Sequence, residues 1–348
     1  MPGLFIFDTP AADQVANLRT INFSKLVDRD SAEAQKLVLA CQEVGFFYLD
    51  LTDPGSKDLL LNVHETTALA KTWFQQSLEK KQEAVAISKA HGYKPVGLHA
   101  GIGTENRDGW EALKIGRQEL QSRWALAPLV RTHIRLFDDL MAESHFVLKT
   151  ILECISSALG LRGTKSLQNY HCDDKPTKSS LFFNHYPPRS DESGSIGQNM
   201  HTDLGSLTLL FAPQWGLQAL CPNTPSLSTN RMAWQFVEPR LDHAVINVGD
   251  TLRFLTGNKL RSALHRAMPL RNEDRYSLAY FLRASDDAEF VDPNGNVVEA
   301  VDWYLRKNKT YEQEGAKQLE GRVLVGGLEN ELPEPKVLKS DGAQLNYS

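Results

Sequence analysis

The sequence predicts a mainly β fold with flanking α-helices, and two observations lead there. Between residues 178 and 285, eight short runs recur at intervals of roughly 8–12 residues: SLFFNHY, SLTLLFA, GLQAL, WQFVEP, HAVINVG, TLRFL, ALHRAM and RYSLAYFL. Strand-like runs punctuated this regularly favour an antiparallel sandwich or barrel over alternating βαβ units. Residues 1–165, by contrast, carry mostly helical periodicity.

Each element follows from local signals. Asp30 and Glu33 form a capping-box pattern, Ala34, Leu37, Val38, Cys41 and Val44 then keep helical spacing, and Gly45 stops the helix. FFYLDL at 46–51 reads as a buried strand, closed by the turn signal DPG at 53–55. A second helix fits 56–76, and the Gly-rich polar stretch 90–109 reads as a long loop. From Pro128 to about Gly160, Leu129, Ile134, Phe137, Leu140, Met141, Leu148, Ile151, Leu152, Ile155 and Leu159 trace one long amphipathic helix. After the strand region come a turn at PNGN (293–296), a helix around 301–312 and a polar, Pro-containing tail from about 320. The chain thus divides into a mostly helical region at 1–165, a core at 166–312 packed against it, and a tail at 313–348, expected to form one compact unit.

Composition narrows the function classes. At 348 residues with 41% hydrophobic and 23% charged content, the chain has the profile of an ordinary globular protein with a sizeable core. A net charge of −5 and pI near 6.1 give no reason to expect nucleic acid or an anionic membrane as partner. No apolar run approaches the ~20 residues of a membrane helix. The start MPGLFIFDTP lacks the basic and long apolar segments of a secretory signal. Cys41, Cys154, Cys172 and Cys221 show no CxxC spacing and read as reduced thiols of a cytoplasmic protein, so the sequons at Asn22, Asn308 and Asn346 carry no consequence.

The chemistry concentrates in the strand region. In NMHTDLGSLTLLFA, His201 and Asp203 stand two residues apart beside an apolar run, and side chains at i and i+2 of a strand share a face. His265 follows in the strand-like SALHRAM. Two neutral imidazoles and one carboxylate are the ligand set of a facial triad, which leaves iron(II) three open positions. Against it stands the plain reading of a satisfied core histidine. A second HxD, at His171 and Asp173, lies in the polar stretch QNYHCDDKPTK with no apolar run attached, and reads as solvated loop. Arg275 and Ser277 open RYSLAYFL and also share a face, as a clamp for a carboxylate. Asn184 and Tyr186 in FFNHYPP share another, and can donate an amide N–H and a phenol O–H.

In order, FFNHYPP, HTDLGSLTLLF, GLQAL, AVINVGDTLRFLT, SALHRAM and RYSLAYFL resemble the signature segments of the iron(II)- and 2-oxoglutarate-dependent dioxygenases. Within them the chain is most similar to the isopenicillin-N-synthase-like group of plant and fungal tailoring oxygenases. INFSKL, ACQEVGFFYLDL, TWFQQSLEKKQEA, HGY and RDGWEAL resemble that group's N-terminal region, so the resemblance spans roughly residues 18–312. It implies a double-stranded β-helix (jelly-roll) core. It assigns His201, Asp203 and His265 to Fe(II), Arg275 and Ser277 to the distal carboxylate of 2-oxoglutarate, and Tyr186 and Asn184 to the same cosubstrate. The implied reaction consumes O2, releases succinate and CO2, and hydroxylates, desaturates or cyclises a small molecule. Two alternatives stay open: a same-fold iron oxidase that needs no 2-oxoglutarate, and a jelly roll that only binds a small molecule. The unusual stretches RSDESGSIGQNM, CPNTPSLSTNRMAW and RLDHAV lie at sheet ends, where they bear on substrate choice rather than on iron.

The substrate pocket is expected to be lined by the loop at 90–110, by Phe182, and by Phe281 and Arg283, which continue the alternation from Arg275. The two phenylalanines favour a largely hydrophobic or aromatic metabolite, with secondary metabolism as the setting. Other features read as structural. Gly101-Ile102-Gly103 lacks the strand–helix context of a nucleotide loop. Lys80-Lys81 reads as a solvated helix face, and Trp303 as packing for the C-terminal helix. His64, His91, His99, His133, His145, His185 and His243 show no partner pattern and read as structural or surface residues.

Overall fold

The computed structural model describes residues 9–99, 107–188, 197–222, 232–268, 273–313, 323–328, 330 and 332. Gly101-Ile102-Gly103, most of the loop before His201 and the linker after Cys221 lie outside them.

β1 (Thr20–Asn22) leads into α1 (Phe23–Val27) and α2 (Ser31–Glu43). Asp30 caps α2 by accepting from the Glu33 backbone N–H at 2.8 Å, while the Glu33 carboxylate accepts from Asn22 N at 2.7 Å instead of closing a reciprocal box. Gly45 ends the helix at φ +77°, where a Cβ would fall 2.0 Å from Arg261 O, so both conformation and packing demand glycine. β2 (Phe46–Asp50), α3 (Lys57–Phe74) and α4 (Leu78–Gln82) follow. Lys81, expected in solvent, is only 11% exposed and pairs with Glu111 at 2.8 Å, whereas its neighbour Lys80 does face water.

The expected loop at 90–109 contains β3 (Gly92–Lys94), which pairs with β4 (Glu111–Gly116). After α5 (Arg117–Ser122), the single helix expected from Pro128 is two: α6 (Pro128–Thr132) and α7 (Ile134–Ala158). The break is at His133, whose ψ of 35° leaves the helical range and whose ring bonds Leu129 O at 3.1 Å. The strand region supplies β5 (Ser180–Tyr186), β6 (Gln198–His201), β7 (Leu207–Phe211), β8 (Leu217–Pro222), β9 (Met232–Phe236) and β10 (His243–Val248). TLRFL, expected as a strand, is instead part of α8 (Asp250–Leu255), with Arg253 N on Gly249 O at 3.2 Å and Thr256 N on Leu252 O at 3.1 Å. β11 (His265–Ala267), β12 (Arg275–Leu282), the hairpin β13 (Glu289–Val291) and β14 (Val297–Glu299), and α9 (Ala300–Tyr311) complete the order. Part of the expected polar tail is packed: Leu324 and Val325 are buried, Val325 against Leu220 and Leu264.

Two sheets face each other. The larger runs β1-β2-β10-β7-β12-β5-β4-β3 and the smaller β6-β11-β8-β9. Among the described residues, every pairing between these strands is antiparallel except β1 with β2. Strand alternation divides the larger sheet cleanly. Phe47, Leu113, Ile115, Phe183, Leu209, Ile246, Leu278 and Tyr280 join Leu37, Phe137, Leu148 and Ile151 of the helices in the main core. The alternate residues turn toward the smaller sheet, where Phe46, Tyr48 and Val245 pack with Leu217 and Ala219. The helices therefore seal one face of the large sheet and leave the other to line the cavity between the sheets. Trp303 packs edge-on against Phe254 at 5.2 Å and is 1% exposed, as a packing residue.

Candidate active site

Adjacent strands bring the histidines together. His265 opens β11 directly opposite His201, the last residue of β6, and their rings lie 4.3 Å apart. Asp203 does not lie on the strand with His201: β6 ends there, and Asp203 sits in the turn that precedes β7. The carboxylate nevertheless arrives. Its Oδ1 lies 3.6 Å from Nε2 of each histidine. The ligand atoms of all three fall within 4.8 Å of one another, and all three side chains are buried.

Hydrogen bonds prepare these groups. Nδ1 of His201 faces Asn199 O at 2.7 Å, and Nδ1 of His265 faces Ala263 O at 3.2 Å. A carbonyl can only accept, so each ring keeps its proton on Nδ1 and turns an Nε2 lone pair to the centre. Oδ2 of Asp203 accepts from Thr208 Oγ1 at 2.5 Å and Asn247 Nδ2 at 2.7 Å, leaving Oδ1 for the same centre. Burial resists charge on Asp203, yet His265, His201 and Asn247 hold its carboxyl well below the usual range. Burial, then the neighbouring His201, pushes His265 down to about 4, so it stays a neutral donor near pH 7. Neutral nitrogens and an oxygen anion with open positions suit iron(II).

The other HxD does something else. His171 is not solvated: it is 3% exposed, bonded through Nδ1 to Leu167 O and through Nε2 to Ser206 Oγ, both at 2.7 Å. Asp173 points away, to His145 Nε2 at 2.7 Å.

Along β12 the inward face reads Arg275, Ser277, Ala279, Phe281, then Arg283 just past its end. Register puts Tyr186 beside Arg275, Asn184 beside Ser277, Phe182 beside Ala279 and Thr208 beside Phe281. Arg275 is 4% exposed, donates from Nε to Trp215 O at 3.1 Å, and lies 5.0 Å from the Tyr186 ring centre. Among the described residues it meets no carboxylate. Asn184 Nδ2 reaches Ser277 Oγ at 3.4 Å, and its Oδ1 is buried with no partner. A buried guanidinium without an anion, beside an orphaned amide, fits a polar ligand such as the distal carboxylate of 2-oxoglutarate.

Phe182 and Phe281 meet edge to face at 4.8 Å inside the same cavity, with Arg283. Of the loop at 90–110, His99, Asp108 and Trp110 line it, while 100–106 lie outside the described residues. Sequence reasoning missed Lys114 of β4 and the α9 wall, Tyr304, Asn308 and Tyr311. The wall was marked by its i, i+4, i+7 spacing, which places three polar-tipped side chains on one helical face. Lys307, at the edge of that face, ties α9 down. Its Nζ donates to Thr202 Oγ1 at 2.6 Å and Asp250 Oδ2 at 2.5 Å, all inside the fold. Thr202 is the residue between His201 and Asp203.

Comparison with known proteins agrees with this geometry. Residues 177–284 match the 2OG-Fe(II) oxygenase superfamily, and residues 18–130 match the N-terminal region described as non-haem dioxygenase in morphine synthesis. A 2-oxoglutarate-dependent dioxygenase of Gibberella zeae is 44% identical over 92% of this chain and 95% of its own. Another from Glarea lozoyensis is 37% identical over 90% and 93%. Among solved structures, a full-length Neurospora crassa protein in complex with alpha-KG superposes with a TM-score of 0.69 at 21% identity, over 86% of this chain and 97% of that one. The last similarity establishes the double-stranded β-helix fold alone. Taken with the relatives in sequence, the chain belongs to the iron(II)- and 2-oxoglutarate-dependent oxygenases.

Proposed function

We propose that His201, Asp203 and His265 hold the iron(II) of this dioxygenase, and that Arg275 and Ser277, with Asn184 and Tyr186, hold the distal carboxylate of 2-oxoglutarate. Phe182, Phe281 and Arg283 face the primary substrate, a small and largely hydrophobic organic molecule that is hydroxylated, desaturated or cyclised. The observation that carries this reading is the convergence of three ligand atoms whose other polar atoms are already occupied. When bound, iron and 2-oxoglutarate supply an oxidant made from O2, with release of succinate and CO2.

The chain's own residues do the positioning. Asn199 O and Ala263 O keep each imidazole in the ligating tautomer. Thr208 and Asn247 fix the rotation of the Asp203 carboxylate. Arg275 offers charge and a fork at the far end, near Trp215. The aromatic walls and α9 keep water from the reacting centre, so an oxidisable substrate meets the metal in a dry site. The free cysteines support a cytoplasmic setting, and the fungal relatives support secondary metabolism. Among the described residues no helix is long and apolar enough to cross a membrane.

The test is anaerobic addition of iron(II) and 2-oxoglutarate to the purified protein, followed by admission of O2. The visible charge-transfer band of the chelate is expected first, then succinate. Consumption of O2 with no dependence on 2-oxoglutarate would instead identify a cosubstrate-free oxidase.

A further inference from the structure

Among the described residues, four cations that line the cavity have no carboxylate partner: Arg275, assigned above to 2-oxoglutarate, Arg266, whose Nε donates to Gln218 Oε1 at 2.8 Å, and two beside the aromatic wall, Arg283 and Lys114. Arg283 is 7% exposed, and its stem rests against Gly205, where an added Cβ would come 2.9 Å from Arg283 Cγ. Its Nη1 donates to Lys178 O and, at 2.8 Å, to Ser180 Oγ. The opposite edge is unused: Nε is buried without a hydrogen-bond partner, and Nη2 has none among the described residues. The guanidinium carbon lies 5.9 Å from the Phe182 ring centre, 5.1 Å from Phe281 and 5.2 Å from Tyr304. Lys114 approaches the same Phe182 ring, with Nζ 4.9 Å from its centre, and among the described residues donates to Lys89 O at 3.2 Å. Among the described residues, neither Lys114 nor Arg283 has a carboxylate within ion-pair distance. The adjacent lysines do: Lys94 meets Asp108 at 2.5 Å and Lys89 meets Glu312.

This inference rests on the cofactor reading above. Iron(II), Asp203, dianionic 2-oxoglutarate and Arg275 together are neutral, so they leave no negative charge over for Arg283 and Lys114, nor for Arg266 beside Gln218. Buried positive charge is costly unless an anion meets it. Burial, then the nearby Lys94, Lys89 and Arg283, pushes the Lys114 amine down to about 7. We infer that the primary substrate carries a carboxylate, received by the Nε–Nη2 edge of Arg283 and by Lys114, with an apolar body against Phe182 and Phe281. A planar fork suits a planar carboxylate bidentately, and an ammonium adds a point charge. The aromatic rings around Arg283 suit an aryl or branched alkyl acid better than a sugar acid.

The experiment pairs ligands that differ only in charge. Enzyme loaded anaerobically with iron(II) and 2-oxoglutarate is titrated with 3-phenylpropionate, indole-3-acetate and phenylacetate, each against its amide, with the visible charge-transfer band as readout. The acids are expected to perturb the band and the amides to do so at least tenfold more weakly. In Arg283→Leu the acids should lose roughly 30-fold in affinity or more, with Arg283→Lys recovering part of it, while the amides change little. Lys114→Met should act in the same direction, and each variant's own band reports an intact site. Equal binding of acids and amides, no perturbation by any acid, or stronger binding of phenyl phosphate would overturn the carboxylate assignment. If the wild-type band never forms, the cofactor reading fails instead, and the two failures are told apart.

Discussion

Arg275 and Arg283 stand at the two ends of one inward-facing strand surface, and neither meets a carboxylate among the described residues. Asp203, bonded to Thr208 in the Phe281 row, lies between them. On the proposed assignment, one strand separates a pole for the cosubstrate from a pole for the substrate, with the candidate metal ligand Asp203 between them.

His201→Ala and His265→Ala should each abolish iron retention, read as metal content after gel filtration. His171→Ala should keep its iron. It should still lose about 1–3 kcal/mol of stability, because Ser206 Oγ and Leu167 O are left buried without their partner. Loss of iron from His171→Ala would mean that the wrong HxD pair has been assigned.

Arg275→Ala should raise the 2-oxoglutarate concentration needed for turnover by roughly a hundredfold or more, since losing one partner of a buried charge pair costs ~3–5 kcal/mol. Arg275→Lys should recover part of the loss but not the bidentate geometry. An unaltered 2-oxoglutarate requirement would favour the oxidase alternative.

Lys307→Met removes the nearer of the two cations around the buried Asp250 carboxylate, leaving Arg253 Nη2 at 3.9 Å, at a cost approaching ~3–5 kcal/mol. Thermal unfolding should fall accordingly. Adding Asp250→Leu should recover much of the stability, because replacing both members of a buried pair is often near neutral. A single variant as stable as wild type would show that the pair is not holding α9.

Acid should weaken the metal-free protein. Burial, foremost, pushes His171 down to about 4 from its ordinary 6.5. The unfolded chain therefore takes up this proton before the folded one does. The stability of neutral burial is complete above about pH 6.5, and is lost as pH falls toward 4, amounting to ~3 kcal/mol for His171. Chemical denaturation from pH 7 to 4 should show this slope, and His171→Gln should flatten it. Identical slopes in the two proteins would refute the assignment.

Most of the strands were legible because one face is apolar against the helices and the other is not. RYSLAYFL declares Arg275, Ser277 and Phe281 on one side and Leu278, Tyr280 and Leu282 on the other. TLRFL was not legible as a helix: so short a run is too brief for period 2 and period 3.6 to diverge. The break at His133 was hidden inside an apolar pattern that continues through it. His171 was misread because its burial depends on Ser206, thirty-five residues away in sequence and invisible to local polarity. The proposed iron ligands could be found because their residue types are rare in apolar surroundings. Lys114 and Tyr311 could not, because strand order and helix docking bring them to the cavity.

The helix α9 does two jobs with side chains about one turn apart. Lys307 turns inward and grips Thr202 and Asp250, while Tyr304, Asn308 and Tyr311 face the cavity. The grip sits behind the proposed metal ligands, so the cavity wall at Tyr304 and Asn308 can be rewritten while the anchor stays, whereas Tyr311 packs edge-on against His201 at 5.9 Å. Under the proposed function, a scaffold of this kind could reach new substrates through Tyr304 and Asn308 on one helix without disturbing the anchor. For engineering, Tyr304 and Asn308 form a compact library, provided that residue 307 remains lysine and Tyr311 stays against His201.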